Sequence, residues 1–304
     1  MLSHLFDKLL RRRFFMQHKT NHPVKSILAS QKANEKNNSY TPVFSVENNL
    51  QITPEFARAE QYILEGRNVF IHGKPGTGKS SFIKYIKEKY FPYSPHYYAR
   101  IAVLTPTGIS ALNIQGQTVF SCLQINPYDY FAPLEKQTLR WVQRRLSTIT
   151  TFIIDEISML RADLLDAINI RLQQVFETDQ LFGGKQIILV GDFYQLPPVV
   201  EANQQENKQN RYFHTTYGKN RAFCFFSPAF WRKQFMPVEF TRVFRQGADL
   251  DFIRYLSVLR EGNPAQMASA LTFFNARAHP QYPDNTLVLC PPQAGSRPFK
   301  YEET

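Results

Sequence analysis

The sequence has little cysteine and no long apolar stretch. Its three cysteines, Cys122, Cys224 and Cys290, lie far apart without CxxC spacing, so packed thiols are a simpler interpretation than a zinc site or a disulfide framework. No apolar segment approaches the roughly 20 residues that a membrane-spanning helix needs. We therefore expect a protein of a reducing compartment, with a cytoplasmic location of bacterial type and no membrane partner.

Acidic residues are scarce relative to basic ones. The chain has 36 Lys and Arg against 25 Asp and Glu, a formal net charge of +11, which favours an anionic partner such as nucleic acid. About half of this excess lies in residues 1–40. We interpret residues 1–48 as a basic arm and linker. The arm is either a flexible tail, with Met16 as an alternative start, or a targeting segment for an organelle or the nucleus.

Glycine is also uncommon, with 13 residues, yet three glycines fall within residues 73–78. The segment matches the pattern GxxxxGK[ST], in which backbone N–H groups cradle phosphates, the lysine reaches the β and γ phosphates, and the hydroxyl binds Mg²⁺. An apolar segment precedes it and helical spacing follows over residues 79–90, although an ordinary glycine loop is the alternative. The predicted phosphate-binding residues are Gly73, Lys74, Pro75, Gly76, Thr77, Gly78, Lys79, Ser80 and Ser81.

Four nearly continuous apolar segments alternate with helical patterns. They lie within residues 67–71, 99–119, 150–160 and 185–199. Such alternation predicts an α/β fold with a mostly parallel sheet and helices on both faces. In sheets of this type, ligands bind at the carboxyl ends of the strands.

Acidic residues follow the third and fourth of these segments. Asp155 and Glu156 end the third, and Asp192 ends the fourth, three residues before Gln195. Phosphoryl transfer with Mg²⁺ uses one carboxylate to hold the metal and another to orient or deprotonate the attacking water. We therefore predict that Ser80 and Asp155 bind Mg²⁺ and that the nucleotide is hydrolysed, whereas a solvated strand end is the alternative.

The later part of the chain carries weaker signals. Residues 201–220 are polar and without periodicity, which predicts an exposed loop. The aromatic residues in 222–231 predict core packing, and residues 250–263 predict a helix that stops near a glycine.

Five segments together resemble one known family. They are GKPGTGKS, LTPTGISALNIQGQTVFS, FIIDEISML, IILVGDFYQLPPV and FTRVFRQ, and they span residues 73–246. Their order and spacing resemble the petite-integration-frequency family of DNA helicases, RecD-like members of helicase superfamily 1B. The resemblance implies a RecA-like P-loop NTPase domain that uses ATP to move 5′ to 3′ along single-stranded DNA. It also implies links to DNA repair, recombination and telomere maintenance.

The resemblance assigns roles to individual residues. Lys79 would bind the phosphates, Glu156 would act as general base, Gln195 would sense the γ-phosphate, and Arg245 would lie against it. Other residues resemble the segment that contacts the DNA strand, although a helix cap and turn is the alternative for them. They are Thr107, Gly108, Asn113 and Thr118.

The sequence departs from the family pattern at several places. Phe56 stands where the family has a glutamine that reads adenine, with Gln61 as a substitute nearby, and Phe120 replaces a histidine. After residues 284–291 the sequence diverges, and the late motifs of a second RecA-like domain are not found.

These departures determine the expected domain organisation. We expect residues 49–290 to form the first RecA-like domain and residues 291–304 to form a divergent tail. Such a truncated chain would bind ATP but would not unwind DNA alone, because translocation requires two domains that open and close around the nucleotide.

Two other functions compete with a helicase ATPase. One is a nucleotide-gated DNA-binding module without motor activity. The other is a P-loop kinase or a chaperone-like ATPase, which is disfavoured because a kinase has no use for GDFYQLPPV or FRQ.

Overall fold

The computed structural model describes residues 52–90, 100–200, 208–218, 220–244, 249–262 and 264–277. They fall into two compact units, which are divided between residues 246 and 247. The predicted arm, the predicted boundaries at 48 and 290, the tail and Cys290 all lie outside the described residues, so those interpretations stay predictions.

One parallel sheet forms the centre of the first unit. Its strands are β1 (Val69–Gly73), β2 (Ile101–Thr105), β3 (Gln117–Thr118), β4 (Thr151–Ile154), β5 (Gln186–Gly191) and β6 (Met236–Phe240). The order across the sheet is β3-β2-β4-β5-β1-β6, and every neighbouring pair is parallel. The predicted parallel α/β architecture is confirmed.

Helices cover both faces of this sheet. They are α1 (Pro54–Leu64), α2 (Lys79–Tyr90), α3 (Gly108–Asn113), α4 (Val119–Leu123), α5 (Lys136–Leu146), α6 (Ala162–Val175), α7 (Lys208–Thr216) and α8 (Pro228–Lys233). Ile187 and Leu189 of β5 pack in one apolar core with α5, α6 and α8. Ile188 and Val190 pack in another with α1 and α2. Because successive side chains of a strand point to opposite faces, the two cores lie on opposite sides of the sheet.

Two strands were not predicted, and both lie at an edge of the sheet. Strand β3 has two residues, and β6 contains Pro237 and Glu239. An edge strand pairs on one side only, so it tolerates proline and charge that obscure the apolar pattern. The first strand also begins at Val69 rather than at residue 67.

The predicted exposed loop at 201–220 is wrong for residues 208–216, which form α7. Gln209, Asn210 and Phe213 of this helix are buried. The polar pattern was misleading because Gln209 and Asn210 are buried through hydrogen bonds to Asp163 and Arg161 rather than through apolar contact.

The predicted core packing of residues 222–231 is confirmed. Cys224, Phe225, Ala229 and Phe230 are buried in the core that contains α6. Cys122 is buried in the same core, so two of the three cysteines are packed thiols, as predicted.

The second unit contains helices α9 (Leu250–Glu261) and α10 (Pro264–Asn275). The Asp249 carboxylate caps α9, and Gly262 ends it with a φ of +64°, which confirms the predicted stop. The two helices contact each other through the rings of Tyr255 and Phe273, whose centroids are 4.4 Å apart. None of the helices described in either unit has the length and apolar character that a bilayer span requires.

Candidate functional site

Two glycines shape the turn between β1 and α2. A Cβ atom at Gly73 would collide with the carbonyl oxygen of Phe240 and would lie 2.9 Å from Thr77 Oγ1. Gly78 has a φ of +83°, in the left-handed region where a side chain is strained. The turn therefore needs glycine at both positions to keep its shape.

Lys79 lies against this turn at the first position of α2. Its Nζ donates hydrogen bonds to the carbonyl oxygens of Gly73 at 2.8 Å and Lys74 at 3.0 Å. Thr77 Oγ1 also donates to the Lys74 carbonyl, at 2.8 Å. The N-terminus of a helix presents backbone N–H groups and a positive dipole end, so the turn, the ammonium and the exposed Ser80 hydroxyl form a cradle for an anion.

Asp155 and Glu156 directly follow β4. The Asp155 side chain is buried, and this burial raises its pKa to about 6. The Glu156 N–H, which donates to Asp155 Oδ1 at 2.9 Å, lowers that pKa, the Glu156 charge raises it, and the Lys79 charge lowers it. A buried carboxyl group beside a second carboxylate favours a bound cation.

The backbone of Glu156 is strained. Its φ of 55° and ψ of 43° lie in the left-handed region, which costs a non-glycine residue on the order of 1–3 kcal/mol. The next residue, Ile157, is fully buried, and a Cβ atom at Gly191 would lie 2.9 Å from its backbone nitrogen. The close approach of the two strand ends therefore holds Glu156 in this conformation.

Gln195 lies beyond the end of β5, and its position depends on Asp192. The Asp192 carboxylate is buried and accepts hydrogen bonds from the Tyr194 N–H at 3.1 Å and from Gln195 Nε2 at 3.4 Å. The Gln195 N–H donates to the Asp192 carbonyl at 2.9 Å. Sequence reasoning placed Asp192 at this edge without assigning it a role, and the structure shows that it orients the loop that carries Gln195.

Comparison with known proteins shows the family of this chain. The model of the PIF1-like helicase family matches residues 55–267, which is more than half of the chain. The chain belongs to the PIF1-like helicase family. This confirms the family that the five sequence segments predicted.

Several relatives of this chain are named ATP-dependent DNA helicases. PIF5 of Trypanosoma brucei brucei is 34% identical over 70% of this chain, and human PIF1 is 33% identical over 70%. PIF1 of Xenopus laevis is 31% identical over 74%. These matches cover 24%, 30% and 32% of the relatives, so the chain spans about a quarter to a third of their length.

Solved Pif1 structures share the fold of this chain. A Bacteroides Pif1 in complex with ADP-AlF3 and ssDNA matches 78% of this chain at 32% identity, with a TM-score of 0.62, and 53% of its own chain is covered. A Bacteroides Pif1 bound to ssDNA matches 70% at 35% identity, with a TM-score of 0.57 and 46% of its own chain. The predicted RecA-like fold class is confirmed.

Arg245 lies outside the residues that the structure describes, so its role stays a prediction. The preceding residue, Phe244, does reach the turn between β1 and α2. Its backbone N–H donates to the Gly76 carbonyl at 2.9 Å. The described part of the segment FTRVFRQ therefore contacts the turn that carries Lys79.

The predicted DNA contacts lie on or beside two short helices. Thr107 caps α3 by accepting from the Ser110 N–H, and Thr118 caps α4 by accepting from the Ser121 N–H. The alternative of a helix cap is therefore confirmed for Thr107, and DNA contact stays a prediction. Gly108 and Asn113 are exposed at the two ends of α3.

Phe56 and Gln61 occupy very different surroundings on α1. The Phe56 ring is fully buried, and its centroid lies 4.4 Å from that of Phe240 and 5.1 Å from that of Phe82. The Gln61 amide is exposed and donates to Glu65 at 2.9 Å. Gln61 lies five helical positions after Phe56, which places the two side chains about 140° apart around the axis. This geometry gives no support to Gln61 as a substitute for the adenine-reading glutamine.

Proposed function

We propose that this chain is the ATPase part of a DNA helicase, which hydrolyses ATP on single-stranded DNA. The observation that carries the proposal is the meeting of the phosphate-binding turn with the carboxylate pair. Lys79 acts electrostatically on Asp155, although the two residues follow different strands of the sheet. A turn that can bind phosphates, next to a buried carboxyl group that can bind a cation, is the arrangement expected for a nucleoside triphosphate with its metal ion.

Mg²⁺ fits the donor set at this site. The Ser80 hydroxyl and the Asp155 carboxylate are hard oxygen ligands, and Mg²⁺ is usually held by one or two carboxylates together with phosphates and water. In the described ranges, no group of three or more His, Cys, Asp or Glu side chains forms another metal site. When bound, the ion neutralises the charge that develops on the phosphates.

The remaining roles rest on the family resemblance and, for Gln195, also on its hydrogen bond to Asp192. Lys79 binds the phosphates, and Glu156, which is half-buried next to the buried Asp155, acts as the general base for the attacking water. Gln195, held by Asp192, responds to the γ-phosphate, and Arg245 stabilises its charge.

Single-stranded DNA is the proposed partner. Solved Pif1 structures with ssDNA resemble this chain, and the segment with Thr107, Gly108, Asn113 and Thr118 lies at the carboxyl edge of the sheet, beside the strand ends of the nucleotide site. Movement from 5′ to 3′ and roles in repair, recombination and telomere maintenance are further parts of the proposal that rest on the family resemblance. A cytoplasmic location of bacterial type rests on the cysteine usage, with an organelle or the nucleus as the alternative if the basic arm is a targeting segment.

ATP turnover with and without single-stranded DNA tests this function. We expect turnover that DNA stimulates, and we expect Lys79→Ala to lose it together with ATP affinity, because the cation that faces the phosphates is gone. DNA binding without any turnover by the unaltered chain would contradict the proposal and would favour a DNA-binding module.

A further inference from the structure

Helix α5 has an apolar face and an opposite face that is basic and aromatic. Val142 and Leu146 are buried in the core beside α6. On the opposite side of the helix lie Arg140, Trp141 and Arg144, all exposed. We call these three residues, with Lys136 one turn earlier, the α5 surface.

Trp141 is unusual because a large indole ring is 46% exposed in the middle of this surface. The guanidinium of Arg145 lies 4.2 Å from the centroid of its ring, a distance typical of cation–π contact. Arg145 is held in place by a hydrogen bond from its Nη2 to the Ser121 carbonyl at 3.4 Å and by another to the Cys122 carbonyl. One face of the indole is thus covered by Arg145, while the 46% exposure of Trp141 leaves part of the ring accessible to a ligand.

The cations of the α5 surface have no acidic partner among the described residues. Lys136, Arg140 and Arg144 form no ion pair there, and α5 itself contains no Asp or Glu. Exposed cations elsewhere do pair, such as Lys89 with Glu60 and Lys208 with Asp129. A helix face with unpaired cations around an exposed ring is complementary to an anion that also carries flat aromatic groups.

The α5 surface is structurally joined to the predicted DNA-contacting segment. Arg145 contacts the Ser121 carbonyl, and the Ser121 N–H donates to Thr118 Oγ1 at 3.1 Å. Thr118 is the last residue of that predicted segment. A DNA strand that contacts Thr118 would therefore be separated from the α5 surface only by the short helix α4.

We propose that the α5 surface is a further binding site for single-stranded DNA, in which Arg140 and Arg144 bind phosphates and a base stacks on the accessible part of the Trp141 ring. The two arginines are separated by about 6 Å along the helix, or about two nucleotide steps of a stacked strand. A duplex keeps its bases stacked on each other, so a single strand is the form that offers a free base face. This inference rests on the proposed function.

Tryptophan fluorescence tests the stacking. The chain has two tryptophans, and Trp231 packs against the core, so Trp231→Phe leaves Trp141 as the sole reporter. Titration of this variant with an oligothymidine should quench the fluorescence, and a duplex of equal length should quench it far less. In the unaltered background, Trp141→Ala should weaken oligothymidine binding about 5- to 150-fold, from the 1–3 kcal/mol of one stacked base.

Charge variants test the phosphate contacts. The double variant Arg140→Gln/Arg144→Gln should bind oligothymidine more weakly, and its salt dependence should fall by about 1.4 in slope, because two single-strand phosphate contacts are lost. The matched control is Arg58→Gln/Arg232→Gln, which removes two exposed cations from α1 and α8. We expect the control to bind like the unaltered chain, and both double variants to keep ATP turnover without DNA.

Two outcomes would overturn the proposal and can be told apart. If the unaltered chain binds oligothymidine while Trp141 is not quenched and the variants bind normally, the α5 surface is not a DNA site and the proposed function stands. If the unaltered chain binds no oligothymidine, the DNA part of the proposed function fails as well.

Discussion

At the scale of single residues, the candidate site combines a strained backbone conformation with two neighbouring carboxyl groups. Glu156 adopts a left-handed backbone conformation directly after a buried carboxyl group whose pKa is raised to about 6. Each of these two features lowers the stability of the folded state. Both are retained where the proposed chemistry requires a carboxylate beside a metal ion, which is a common location for such strain.

The proposed general base can be removed without changing the size of its side chain. Glu156→Gln should leave ATP affinity nearly unchanged and should lower DNA-stimulated turnover by about 10²- to 10⁴-fold, because an amide does not accept the proton of the attacking water. Nucleotide binding is measured by calorimetry and turnover by phosphate release.

The matched control for this variant is Glu88→Gln, the same substitution on the exposed side of α2. It should leave turnover unchanged. Normal turnover by Glu156→Gln would show that another group takes the proton.

Two glycines of the site should respond very differently to alanine. Gly78→Ala should lower the free energy of unfolding by about 1–3 kcal/mol, because Gly78 has a φ of +83° and a Cβ atom there would lie 2.9 Å from the Phe56 ring. Gly108→Ala should leave stability within about 0.5 kcal/mol, because a Cβ atom at Gly108 would have no heavy atom within 4 Å.

The open space at Gly108 also makes it a probe of DNA contact. If a DNA backbone lies against Gly108, the added methyl group should weaken DNA binding while stability stays constant. Urea unfolding and oligothymidine binding of the same two variants measure both effects. Equal stability of Gly78→Ala and Gly108→Ala would refute the argument from backbone geometry.

At the scale of elements, a buried ion pair at the start of α6 attaches α7 to the rest of the first unit. Arg161 Nη2 and Asp163 Oδ2 are 2.7 Å apart, and the Arg161 Nη1 donates to Asn210 Oδ1 at 2.9 Å. Gln209 Nε2 donates to Asp163, and the Arg161 guanidinium lies 4.6 Å from the Phe213 ring centroid. The helix is therefore held by paired polar groups together with the buried Phe213 ring, which packs in an apolar cluster with Ala162 and Tyr217.

Removing the acid of this pair should destabilise the protein strongly. Asp163→Asn should lower the free energy of unfolding by about 3–5 kcal/mol, because it leaves the buried Arg161 without a counter-charge. Asp129→Asn, which breaks the exposed pair with Lys208, is the control and should cost less than about 1 kcal/mol. Urea unfolding measures both, and similar losses would show that the Arg161 pair is not the main attachment of α7.

At the scale of the whole molecule, the excess of basic residues should dominate DNA affinity. The net charge is +11, and binding to a single strand weakens with salt at a slope of about 0.7 per phosphate contact. A site with about four such contacts should lose about 50-fold in affinity between roughly 50 and 200 mM salt. Oligothymidine affinity across a salt series measures this, with ATP affinity as the control, and a flat series would contradict electrostatic binding.

Much of the fold was predictable because its central strands are buried on both faces. Residues 151–154 and 186–191 are nearly uniformly apolar, so their strands are evident without a partner. The edge strand β6 and helix α7 were missed for the opposite reason. Their pattern is mixed because β6 pairs on one side, and because α7 is buried partly through the hydrogen bond of Asn210 with Arg161, which lies 49 residues earlier in the chain.

The same distinction applies to the candidate site. The sequence alone was enough to predict the phosphate-binding turn, the paired carboxylates and the family, because each of these motifs consists of residues that are close together in the chain. Tertiary packing decided that Lys79 acts on Asp155, that the Phe244 N–H reaches the Gly76 carbonyl and that Arg145 binds the Ser121 carbonyl. These relations join segments that only the order of strands and the packing of helices bring together, and no pattern along the chain records such distances.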